Sequence, residues 1–194
     1  MGDSVTGARG LCNLIAFDDA PFDRGSRASV PLVGVVYASL RLDGVVLGRI
    51  RQDGKNSTRE IIRIVSESRF NGHINLIMLD GVAFGGFNVV DVRRLHRELE
   101  RPVIVVTRKK PDMDAIRSAL ERRISSGRRK WQLIDALGPM ERCCDCWIQR
   151  VGLDFEQASE VIRFFSVHGK IPEPVRVAHL IAGAIGRGES RGRA

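Results

Sequence analysis

Three aspartates stand where an apolar run gives way to a turn. Asp18 ends the run Leu14–Phe17, Asp53 follows Val45–Ile50, and Asp80 ends Ile74–Leu79. A carboxylate at a strand end can cap the following turn through its side chain. Two or three carboxylates brought to one place repel one another unless positive charge lies between them. Hard oxygen donors of this kind suit Mg²⁺ or Mn²⁺, which keep several waters and meet phosphate groups. Such a centre activates water and stabilises a leaving oxygen in phosphodiester hydrolysis. Asp18, Asp53 and Asp80 are therefore the candidate catalytic and metal-ligating residues, with turn capping as the alternative use of each.

The charge pattern names a class of partner. The chain has 194 residues and a net charge of +8. Between Arg101 and Lys130 ten Lys/Arg face only Asp112, Asp114 and Glu121, so that this segment alone carries +7. A basic block favours polyanions, nucleic acid first, although a solvated helix face has the same composition. Arg108, Lys109 and Lys110 follow the run Pro102–Thr107 and are candidate phosphate contacts. Arg176, just after Pro174, could grip a phosphate or pair with Glu173 or Asp19. In the loop after Asp80, Gly85 and Gly86 allow close approach of a ligand, and Phe84 could stack on a base or fold into the core.

The elements that must place these residues can be read from hydrophobic periodicity. Leu14–Phe17, Val30–Leu40 and Val45–Ile50 read as a strand meander, with a hairpin at Leu42-Asp43-Gly44. A helix over Thr58–Phe70, the strand Ile74–Leu79, a helix over Val89–Leu99 and the strand Pro102–Thr107 follow. Asp112 or Asp114 opens a helix to about Ile124, Ser125–Lys130 reads as a basic loop, and Trp131–Ala136 reads as the last strand. Phe155–Val167 and Val175–Ile185 are helical. A meander followed by alternating units implies a mixed sheet flanked by helices, an order that resembles the ribonuclease H-like fold. One domain over residues 12–186 is expected, with a flexible leader at 1–11 and a flexible basic tail at 187–194. No run approaches the length of a membrane span and no signal-peptide core is present, so a cytoplasmic protein is expected. Cys143, Cys144 and Cys146 are too closely spaced for an ordinary zinc site and read as reduced thiols.

Several segments together carry a family resemblance. FDDAPF, LDGVAFGGFNVVD, RPVIVVTRKKPD and IPEPVRVAHLIA resemble the archaeal family known as domain of unknown function ninety-nine, over about Asn13 to Ser190. That family is similar to endonuclease V, which cuts nucleic acid near deaminated bases with a divalent metal. The resemblance implies that Asp80 is a metal-binding aspartate, that Asp18 is its first-strand partner, and that Asp53 takes the place of a glutamate. Arg108 stands where endonuclease V has a lysine. Gly152-Leu153-Asp154 stands where it has Gly-His-Arg, and neither His73 nor His179 aligns as a replacement. The implied activity is a metal-dependent endonuclease acting on DNA or RNA; a non-catalytic nucleic-acid-binding protein with the same fold is the alternative.

Overall fold

The computed structural model describes residues 10–23 and 29–190. Most of the expected leader and the last four residues of the expected tail fall outside these, while Arg187 is the last residue of a helix. Strands β1 (Asn13–Asp19), β2 (Ser29–Ala38) and β3 (Arg41–Arg51) form the antiparallel meander. The turn between β2 and β3 is Ser39-Leu40 rather than Leu42-Asp43-Gly44. Ser39 adopts a φ of 56° there, and Asp43 becomes the unpaired residue of a bulge between Gly44 and Leu42. Helix α1 (Ser57–Glu67), β4 (Leu76–Asp80), a small ribbon of β5 (Ala83–Phe84) and β6 (Asn88–Val89), α2 (Val92–Leu99) and β7 (Val103–Thr107) come next. They are followed by α3 (Met113–Arg123), α4 (Gly127–Asp135), β8 (Glu141–Cys143), β9 (Cys146–Val151), α5 (Phe155–Phe165) and α6 (Glu173–Arg187).

The main sheet runs β3-β2-β1-β4-β7-β9-β8. Strands β1, β4 and β7 are parallel, and the outer pairs are antiparallel. The central strands carry unbroken aliphatic runs because both of their faces are covered. Alternate residues point to opposite sides. Leu14, Ala16, Leu76, Met78, Ile104 and Val106 join a core with α5 and α6, while Ile15, Phe17, Ile77, Leu79, Val103 and Val105 join a second core with α1 and α2. Among the described residues no helix is long and apolar enough to cross a membrane.

Local chemistry sets the helix starts. Asp91 caps α2 through Arg94 N–H at 2.9 Å, and Asp112 caps α3 through Ala115 N–H at 2.9 Å. Asp154 and Gln157 form a reciprocal capping box on α5. Asn88 is tied to the start of α1 instead, where its Oδ1 accepts Ser57 N–H at 3.1 Å.

One expected element is of the wrong type. In place of the strand Trp131–Ala136, residues Trp131–Asp135 belong to α4 with Ala136 as its cap, and the preceding basic residues are helical too. Gly127, Lys130 and Ile134 form its buried stripe at helical spacing. The last two strands come from the cysteine segment: Cys143 pairs with Cys146 across the turn, and their thiols are free and buried, whereas Cys144 is exposed.

Candidate metal centre

Parallel pairing of β1 and β4 sets Phe17 beside Leu79. The next residue of each strand is an aspartate, so Asp18 and Asp80 emerge side by side at the carboxyl end of the sheet, where α/β proteins place their ligands. Helix α6 packs across β1 and β2 and brings His179 over the pair. One ligand atom from each of Asp18, Asp80 and His179 lies within 4.8 Å of the others. The His179 Nδ1–H donates to Asp18 Oδ2 at 2.8 Å and stands 3.9 Å from Asp80 Oδ2. The other oxygen of Asp18 accepts the backbone N–H of Asp19 at 2.8 Å.

The electrostatics describe carboxylates short of positive charge. Burial, then the charge of Asp18, pushes the Asp80 carboxyl up to about 7, against the opposing pull of Arg108 and His179. Burial likewise pushes Asp19 up to about 6, although its carboxylate accepts Gly85 N–H at 2.9 Å. The hydrogen bond to Asp18 holds His179 above its ordinary value despite burial. The imidazole proton thus partly fills the position where a cation would balance two acids. The two carboxylates are hard oxygen donors that suit Mg²⁺ or Mn²⁺, and a divalent ion would relieve the repulsion that raises Asp80. The residues present fit such an ion.

The three shifts have one sign. A folded protein that holds protons on Asp80, Asp19 and His179 above their unfolded values binds more protons than the unfolded chain. The contribution of these three groups to metal-free stability is therefore full below about pH 4 and declines as pH rises through about 6 and 7. Metal binding must expel the Asp80 proton, so apparent affinity should weaken about tenfold per pH unit below about 7. Calorimetric titration with Mn²⁺ from pH 5.5 to 8 checks this; a flat profile would place the ion elsewhere.

The remaining candidate residues are distributed as follows. Asp53 is not one of the clustered ligands. It takes a φ of 50°, its Oδ1 accepts Phe87 N–H at 2.7 Å, and its backbone carbonyl accepts the Lys130 ammonium at 2.8 Å. Its carboxylate shapes the glycine loop, which is turn chemistry. Gly85 and Gly86 have positive φ values of 54° and 84°. A Cβ on Gly86 would lie 2.5 Å from Asp53 Oδ1, so the glycine is needed to seat that bond. Phe84 is fully buried in the core and its ring is not available for stacking on a base. Arg108 acts on both Asp80 and His179. Lys109 and Lys110 are exposed beside it, with Lys110 Nζ 5.1 Å from the Trp147 ring centroid. Arg176 is held by both oxygens of Glu173, at 2.8 and 2.5 Å.

His179 and Asp19 are the site residues that sequence reasoning missed. The available signals were slight: His179 follows Ala178 on the buried stripe of α6, and Asp19 doubles the strand-end acid.

A model of the family described as endonuclease dU matches residues 11–186. The chain belongs to the endonuclease dU family. Relatives of this endonuclease dU family member occur in bacteria and archaea. A UPF0215 protein of Deinococcus radiodurans is 46% identical over 183 residues, covering 94% of this chain and 93% of the relative. One from Methanothermobacter thermautotrophicus is 42% identical, covering 93% and 91%. A solved structure of a protein of unknown function from Archaeoglobus fulgidus matches with TM-score 0.84 and 35% identity, covering 91% of this chain and 99% of that one. Human endonuclease V matches with TM-score 0.56 at 16% identity, covering 89% and 83%. Endonuclease V of Ciona intestinalis, solved with a 24mer DNA containing an inosine, matches with TM-score 0.54 at 12% identity, covering 86% and 82%. At such identities the likeness is one of fold, and it identifies the mixed sheet as ribonuclease H-like.

Proposed function

We propose that this protein is a divalent-metal-dependent endonuclease that cuts nucleic acid at a deaminated base, with deoxyuridine in DNA as the substrate suggested by the family description. The observation that carries this reading is the placement of Asp18, Asp80 and His179 at the carboxyl ends of two central parallel strands. Asp18 and Asp80 would hold Mg²⁺ or Mn²⁺. When bound, such an ion lowers the pKa of a water and neutralises charge on a transferring phosphoryl group. The chain's own residues supply the rest. Arg108 faces the acids from the end of β7 and is placed to balance charge on a phosphate drawn to them. Lys109 and Lys110 raise the local concentration of a polyanion. His179 Nδ1 carries a proton next to the acids and can exchange it with a leaving or attacking oxygen. Asp19 holds the glycine loop through Gly85 N–H and so sets one wall of the site.

Incubating the protein with a deoxyuridine-containing oligonucleotide and Mg²⁺ or Mn²⁺ should give a single incision. EDTA or Asp18→Asn should reduce it by about 1000-fold, since loss of the cation removes several kcal/mol. Cleavage that survives both treatments would rule out this centre. Salt-sensitive binding without incision, indifferent to Asp18→Asn, would instead favour a protein that binds nucleic acid without cutting it.

A further inference from the structure

A cavity of about 220 Å³ lies between α4 and the starts of α1 and α2, and none of the three clustered ligands lines it. Its lining includes Lys55, Arg129 and Lys130, with Asp91 as its one carboxylate, and Arg94, whose guanidinium is already paired with Glu98 at 2.6 Å. That carboxylate is already engaged, because Asp91 Oδ1 accepts Arg94 N–H at 2.9 Å. First-turn or capping residues of three helices meet here: Thr58 of α1, Asp91 and Arg94 of α2, and Ser126 before α4. Each helix start contributes partial positive charge to an anion placed among them. The Ser126 hydroxyl makes no capping bond to α4 and remains a donor.

A second observation points to a ligand. Lys130 is 4% exposed, yet the partners of its ammonium are neutral carbonyls, Asp53 O at 2.8 Å and Phe87 O at 2.5 Å. An ammonium has three donors. Two hold the loop, the third has no protein partner, and the charge is balanced only at a distance, by the Asp53 carboxylate; an anion in the cavity would complete its bonding. The same ammonium links the cavity to the metal centre. It fixes Phe87 and Asp53, Asp53 fixes Phe87 N–H, and the neighbouring Gly85 N–H is held by Asp19 beside Asp18.

We propose that this cavity is a phosphate-binding site. Given the nuclease reading above, on which the source of the phosphate rests, its natural occupant is a backbone phosphate of the substrate strand other than the one cut. The strand would then be held at two places, with the glycine loop between them.

The double variant Lys55→Gln/Arg129→Gln tests this, since both side chains are exposed and their loss leaves the core intact. The probes are inorganic phosphate, followed by amide chemical shifts, and a single-stranded oligonucleotide measured in the Asp80→Asn background, where no cutting intervenes. The expected result is loss of phosphate-induced shifts at Ser126 and Lys130. A drop in oligonucleotide affinity of about tenfold is also expected, with the log–log salt slope reduced by about 0.7, as for one lost single-strand phosphate contact. Loss of the phosphate response with unchanged oligonucleotide binding supports the site and assigns it to free phosphate. A phosphate response and oligonucleotide affinity both equal to the parent's overturn it. Failure of the nuclease reading shows up separately, as absence of incision by the unaltered protein.

Discussion

Asp80→Asn should cut incision about 1000-fold and, in the metal-free protein at pH 8, raise the melting temperature. The two effects share one cause. Asparagine keeps the shape of the side chain but removes a charge that burial and Asp18 both disfavour, to the point that the carboxyl titrates at about 7. Above that pH the folded protein holds two crowded carboxylates. Relief of about 2 kcal/mol corresponds to about 4–8 °C in a chain of this size. At pH 5, where Asp80 is already protonated, the gain should vanish. Meanwhile the Mn²⁺-induced rise in melting temperature should be lost and cleavage should fall about 1000-fold, the cation being worth several kcal/mol. A stability gain bought with function is what an active-site carboxylate predicts. If Asp80→Asn lowers the pH 8 melting temperature, the acid has a structural partner and is not a waiting ligand.

The largest effect on stability is expected from Gly127→Ala. Gly127 opens α4 directly beneath the end of α3, and a Cβ there would lie 2.0 Å from the Leu120 carbonyl oxygen and 2.4 Å from its carbon. Those atoms are backbone and cannot rotate away. The same carbonyl accepts the Ile124 N–H at 3.1 Å that closes α3, and the Leu120 side chain is fully buried. Overpacking against a fixed backbone costs about 3 kcal/mol, which lowers the melting temperature by about 6–12 °C. Because α4 carries Lys130, the loop that Lys130 holds at Phe87 and Asp53 should loosen as well. Urea unfolding monitored by tryptophan fluorescence gives the number; a loss under about 0.5 kcal/mol would mean that the two helices separate freely.

The central sheet was legible because β1, β4 and β7 are buried on both faces, which leaves runs such as Val103–Val106 with no polar residue to confuse them. Position along those strands then made Asp18 and Asp80 legible too. Helix α4 reads in sequence as a basic loop and a strand because its buried stripe contains Lys130, and a buried ammonium held by distant carbonyls looks like a surface residue. The strands at Glu141–Cys143 and Cys146–Val151 are short, and their thiols mimic a metal motif. Asp53 and Asp80 share a local Asp-Gly pattern, yet one serves a turn and the other an acid pair; only the pairing of β1 with β4 separates them. His179 could not be found locally, since its partner Asp18 lies 161 residues earlier.

That separation has a consequence during synthesis. The two acids belong to strands made early, whereas the imidazole over them arrives on α6, the last helix of the fold. At about 5–20 residues per second, a growing chain spends seconds with its acids made and its histidine still to come. Throughout that interval the two acids lack the imidazole that pairs with them. The order of the elements thus makes completion of the cluster a late event, one that follows the sheet carrying its acids.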